Sequence, residues 1–126
     1  MIIGLIEGDP TQRRILKTQL LKHSLYSSEL ARLETRLLAI RTANQDSLKQ
    51  FDRFFAACDM IPLNRAVFDQ ATLLRADSSL KTSDALHLAA AIQAECDEFW
   101  TNDKRLVRIA SPHLTVMDWA ALDALP

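Results

Sequence analysis

The sequence predicts an α/β domain in which short parallel strands are flanked by helices. Three observations predict it. The run from Lys81 to Arg105 reads as helix, turn, short strand and polar tip, which is half of a parallel α/β unit. Short strand candidates recur between longer stretches whose apolar residues keep helical spacing. The chain holds only 2 Gly and 4 Pro, little material for many tight turns, and that favours helices.

The 126 residues suffice for one domain, 1–126, with a real core. No repeat, low-complexity stretch or linker divides them. Hydrophobic residues at 48% and charged residues at 25% are ordinary for a soluble globular protein. A net charge of -1 gives no global pull toward nucleic acid, so any such binding needs a local patch. Cys58 and Cys96 stand alone, with no CxxC and no His pairing, which reads as reduced thiols in a cytoplasmic protein. No apolar run approaches the roughly 18 residues of a membrane span. Met1-Ile2-Ile3-Gly4 has no basic region before it and no cleavage site after it, so no signal peptide is expected.

In chain order, residues 1–7 are apolar, as though the domain started inside its core. Gly8-Asp9-Pro10 is a turn, and Pro10 suits a first helical position. A helix over Thr11–Lys22 puts Ile15, Leu16, Leu20 and Leu21 inward and Arg13, Arg14, Lys17 and Lys22 outward. Leu25-Tyr26-Ser27 is a strand candidate. Ser27 or Ser28 caps a helix from Glu29 to about Ala43, with Leu30, Leu33, Leu37 and Ile40 at helical spacing. A helix over Gln45–Cys58 turns Leu48, Phe51, Phe54 and Phe55 inward. Met60–Leu63 is a short strand. Asn64 caps a helix to about Leu80, with Val67, Ala71 and Leu74 inward.

Thr82 is the expected cap of the next helix. From Ala85 to Ile92 that helix is apolar on almost every face except at His87, so it is expected to be buried. Phe99 and Trp100 suit a strand, and Thr101-Asn102-Asp103 follows at its end. Lys104–Ile109 is a short helix and Leu114–Met117 a last strand. Asp118 caps a tail helix over Trp119–Leu125.

Three acids stand out. Glu34 projects near the apolar stripe of its helix, where a bare carboxylate is costly. It either reaches water or Arg41 at the rim, or binds a cation. Asp84 opens a buried helix, a position the helix dipole alone favours. Asp103 ends a strand, where ligands bind in parallel sheets, yet it also suits a helix cap. Asp84 and Asp103 lie 19 residues apart and are expected to face one cleft. Together with Glu34 they are hard-oxygen donors of the kind Mg²⁺ or Mn²⁺ takes. His87, one turn after Asp84, is a metal partner or a packed, hydrogen-bonded histidine. Lys81, Lys104 and Arg105 flank the acids and suit phosphate positioning. Ser27, Ser28 and Ser83 have no His/Asp pattern around them. There is no Gly-rich phosphate loop.

The order S-S-E-L-A-R-L-E-T-R, then T-S-D-A-L-H-L-A-A-A, then F-W-T-N-D-K-R-L resembles the PIN-domain nucleases, in particular the small ribonuclease toxins of the VapC type. The opening I-I-G-L-I-E-G-D-P resembles that family's first helix. The resemblance runs the length of the chain. It implies a three-layer fold, a short parallel sheet between helices, and an acidic cluster that binds Mg²⁺ or Mn²⁺ and hydrolyses RNA. By position, Glu34, Asp84 and Asp103 match three of the cluster. Thr101 and Asn102 are then residues that orient it, and Lys81, Lys104 and Arg105 hold the RNA backbone. A cognate antitoxin and a homodimer are the implied partners.

The family opens with a core strand ending in a catalytic Asp, and this sequence starts where the helix after it begins. The strand and its Asp are therefore expected to be missing or truncated, with two readings: the true start lies upstream and this is a shortened version of an active nuclease, or the chain is a truncation whose metal site is weakened. Three classes of function follow: a metal-dependent ribonuclease toxin, a non-catalytic PIN-like protein that binds antitoxin or RNA, or a plain α/β domain whose acids are caps.

Overall fold

The computed structural model describes residues 10–125. The apolar segment 1–7, likened above to the family's first helix, and the turn at Gly8-Asp9 lie outside the described residues. The described elements in order are α1 (Pro10–Leu20), β1 (Tyr26–Ser28), α2 (Glu29–Arg41), α3 (Gln45–Ala56), β2 (Asp59–Ile61), α4 (Arg65–Ala76), α5 (Thr82–Gln93), β3 (Glu98–Trp100), α6 (Lys104–Ala110), β4 (Thr115–Met117) and α7 (Trp119–Asp123). The chain is α/β, with helices around short parallel strands.

The strands form two pairs. Tyr26-Ser27-Ser28 lies parallel to Asp59-Met60-Ile61, and Glu98-Phe99-Trp100 lies parallel to Thr115-Val116-Met117. Parallel neighbours need a crossover, supplied by α2 and α3 for the first pair and by α6 for the second. The four strand candidates and the short parallel sheet that the resemblance implies suggest one sheet of about four strands. Among the described residues no strand joins β1 to β3, so each pair keeps a free edge.

Most helix starts follow local chemistry. Ser28, Asn44, Asn64, Asp103 and Asp118 each accept a first-turn N–H through the side chain. The exception is α5. It begins at Thr82, with Lys81 at the cap and no side-chain bond there. The Thr82 hydroxyl accepts instead from Arg75 Nη1 at 2.9 Å, so Thr82 is not the cap.

The main core lies between α4 and α5. Val67, Ala71 and Leu74 meet Leu80, Ala85, Leu88 and Ala89, with Leu106 and Ala110 closing the far side. The alanines let the two helices approach closely. Complete burial of Leu88 contributes about 1.5–3 kcal/mol. A second cluster joins α2 to α3 through Ala39, Phe51 and Phe55. A third joins Ile15, Met117 and Leu122.

The expected inward face of α2 is corrected. Leu33, Leu37 and Ile40 are exposed, and the helix buries Thr35 and Ala39 instead. The phenylalanines of α3 need a shallow partner face, and small side chains give it. Thr35 satisfies its hydroxyl by donating to the Ala31 carbonyl at 2.9 Å. Leu21, expected inward, is also exposed, because α1 ends at Leu20 and the chain turns away there.

Candidate active site

α5 sets the geometry. Starting at Thr82, it places Asp84 in its first turn, where the positive helix end favours a carboxylate. His87 follows three positions on, on the same face. Around it Ala85, Leu86, Leu88, Ala89, Ala90 and Ala91 are all buried, as the apolar run predicts. α2 contributes Glu34. Ser28 caps that helix by accepting the Ala31 N–H at 3.4 Å, which fixes where its second turn, with Glu34, falls.

Glu34, Asp84 and His87 line one cleft of about 960 Å³. One wall is the segment Leu25–Ser28 and the other is Asp97–Thr101, so the cleft opens between the two strand pairs. Ala90, Ala91 and Ala94 of α5 give it an apolar stretch. An apolar concavity with a few convergent polar groups is the usual form of a binding site.

Across the cleft, His87 Nε2 donates to Glu34 Oε1 at 2.6 Å, between side chains 26% and 44% exposed. Arg41, the rim partner expected for Glu34, does not take that place. Asp84 has no side-chain hydrogen bond or ion pair to another described residue. Asp103 is placed differently. Its Oδ1 accepts the Arg105 and Leu106 N–H groups at 3.0 and 3.4 Å, which makes it the cap of α6. Its own N–H donates to Thr101 Oγ1 at 3.2 Å, tightening the turn after β3. Thr101 lines the cleft, and Asp103 stands two residues beyond. The cleft therefore brings Glu34 and Asp84 together, and Asp103 lies past its lining.

Lys81, Asn102, Lys104 and Arg105 are exposed and also lie past the lining. Cys96 lines the cleft, but burial and the neighbouring Asp97 push its thiol above the ordinary range. A neutral thiol is a poor ligand and a poor nucleophile. Sequence reasoning missed the bond from His87 to Glu34. The available signal was a single polar residue inside an otherwise apolar helix.

Among the described residues, no three His, Cys, Asp or Glu side chains stand together as a group able to hold a metal ion. The donor chemistry still fits a hard divalent cation. Carboxylate oxygens are what such ions take, and Asp84 brings one with no other partner among the described residues.

The profile described as PIN domain matches residues 1–112, a span that includes Glu34, Asp84 and Asp103. The chain belongs to the PIN domain family. No curated protein and no solved structure matches it. Membership gives this PIN domain a nuclease-type function on nucleic acid, in keeping with a cleft that carries carboxylates. Among the described residues, no helix is long and apolar enough to cross a membrane.

Proposed function

We propose that this PIN domain is a metal-dependent endoribonuclease that hydrolyses RNA phosphodiester bonds, and that it is the toxin of a type II toxin–antitoxin pair of the VapC kind, acting in the cytoplasm. Glu34 and Asp84, brought to one cleft from distant parts of the chain, carry the reading.

Glu34, Asp84 and Asp103 are the residues that would hold Mg²⁺ or Mn²⁺. When bound, the ion lowers the pKa of a water and offsets charge gathering on the phosphoryl oxygens. Asp84 offers its carboxylate from the first turn of α5. Glu34 keeps one oxygen on His87 and has the other to give. Asp103 uses Oδ1 as a cap, so Oδ2 is the oxygen it can turn toward a ligand. Thr101 tightens the turn that carries Asp103, and Asn102, exposed in that turn, is proposed to orient the acid. Lys81, Lys104 and Arg105 stand in solvent near the acids and hold the RNA backbone as positioning contacts. The antitoxin and a second copy of the chain are the protein partners.

The test is cleavage of RNA with Mn²⁺ by the full chain and by Asp84→Asn and Asp103→Asn. Each change removes a ligand charge while keeping shape, and asparagine still caps α6. Cleavage should be lost in both variants with circular dichroism unchanged. Equal cleavage by all three proteins in clean preparations would sink the nuclease reading.

A further inference from the structure

We infer that His87 is a positioning residue for Glu34: from α5 it holds the carboxylate of α2 across the cleft, so that the free oxygen is presented to a divalent cation. The inference deepens the metal-dependent reading and rests on it.

The geometry is specific. The bond is 2.6 Å long and joins residues 53 positions apart, on two different helices. A bond this short between an imidazole donor and a carboxylate is of the charge-assisted kind. His87 stands one turn after Asp84 on the same face of α5, and all three side chains line the cleft. Glu34 needs such a hold. It sits on the solvent side of α2, between the exposed Leu33 and Leu38, with no other side-chain partner among the described residues. A glutamate gives up side-chain rotamer freedom when it is fixed. Ordering it in advance removes that cost from cation binding. Carboxylates that ligate metals are commonly held by an outer hydrogen bond, and removing the holder typically weakens metal affinity by about 10–100-fold.

A purely architectural tie between α2 and α5 would make the same bond. The two roles separate on the readout: a tie between helices shows in the melting temperature of the metal-free protein, a held ligand in Mn²⁺ affinity, and reach then decides which variant keeps the hold. The glutamine amide nitrogen extends about as far as Nε2 of histidine, and the asparagine nitrogen stops short of it. Both variants are polar and close in volume, so both place similar demands on the fold.

The experiment titrates Mn²⁺ alone into the full chain at one fixed pH, following the free-ion electron paramagnetic resonance signal. It is run on the wild type, His87→Gln, His87→Asn, Glu34→Gln and the double variant His87→Asn with Glu34→Gln, with the melting temperature of each metal-free protein recorded beside it. His87→Asn should lose about tenfold or more in affinity. His87→Gln should stay within a few-fold of the wild type. Adding Glu34→Gln to His87→Asn should cost less than it does in the wild type, because the two residues act as one unit. Equal Mn²⁺ affinity in the wild type and His87→Asn overturns the inference and leaves the metal-dependent reading standing. So does an equal loss in Asn and Gln, since a held donor predicts rescue by Gln. A wild type that binds no Mn²⁺ overturns the metal-dependent reading, and the inference falls with it.

Discussion

At the residue scale, side chains that act on their own neighbourhood were legible and those that act at a distance were not. Ser28, Asn64, Asp103 and Asp118 were readable as caps because a cap needs only a short polar residue just before a helix. The partner of His87 was not readable, since nothing local marks a contact between helices. Asp103 shows both roles in one residue. Asp103→Ala removes the cap and should lower stability by about 0.5–2 kcal/mol in urea unfolding, whereas Asp103→Asn should lower it far less. Equal losses would deny the cap its role. Cys58 gives a pH prediction. Burial and the neighbouring Asp59 push its thiol up to about 11, so the folded chain holds that proton where the unfolded chain has released it. The contribution to stability is whole below the ordinary thiol pKa near 9 and fades as pH rises toward 11. A urea midpoint that falls over that window in the wild type, and falls less in Cys58→Ala, is the expected outcome. Gln19 supplies a third test. Its Oε1 is buried with no hydrogen-bond partner among the described residues. Gln19→Met should therefore be neutral or raise the melting temperature, because it removes an unsatisfied acceptor.

At the element scale, helix identity was legible and helix ends and faces were less so. The two glycines of the chain both fall before residue 9, so no glycine marks where a helix stops. The stops are there without it. After α2, Ala43 takes φ 53° while its N–H bonds to Ile40 and that of Asn44 bonds to Ala39. After α5, Glu95 takes φ 56° while its N–H bonds to Ile92 and that of Cys96 bonds to Ala91. Both are the paired bonds of a Schellman ending, built on residues that pay for a left-handed backbone. Ala43→Gly and Glu95→Gly should each raise stability by up to about 1 kcal/mol. A loss in either variant would show that the gain in glycine entropy outweighs the relieved strain. The face of α2 was misread for a physical reason. Periodicity finds the leucines, but it cannot know that the facing helix presents two phenylalanines. Ala39→Leu should cost about 1–3 kcal/mol by crowding Phe51 and Phe55, while Leu33→Ala, in solvent, should cost little.

At the scale of the whole molecule, the fold class and the direction of the strands were legible, because helix–strand alternation forces parallel pairing. The division of the described strands into two pairs was not, because strands of three residues carry no signal about which of their edges is used. Alternate residues of a parallel strand bond to opposite sides. Thr101 N–H donates to Met117 at 3.0 Å, and the Asp59 N–H donates to Leu25 at 2.9 Å. Tyr26, Ser28, Glu98 and Trp100 therefore turn their backbone groups to the cleft. In hydrogen exchange the Trp100 amide should be less protected than that of Thr101. Equal protection would mean that β3 is paired on both sides.

Assembly belongs to the same scale. Leu33, Leu37 and Ile40 recur at helical spacing along α2 and are 59%, 41% and 56% exposed, with Leu38 beside them. A monomeric protein leaves few such stripes in water. The same helix carries Glu34, so a partner laid on it would sit beside the candidate site. For the proposed homodimer, sedimentation equilibrium should give twice the chain mass of 14.2 kDa at high concentration. Leu33→Lys with Ile40→Lys should return the protein to monomer. The melting temperature at low concentration should hardly change, because neither side chain belongs to the described core. A dimer that survives both lysines lies on another face. A monomer at every concentration leaves the stripe to a different partner, for which the antitoxin is the proposed candidate, and co-purification of the lysine variant with a co-expressed antitoxin then measures whether α2 is where it docks.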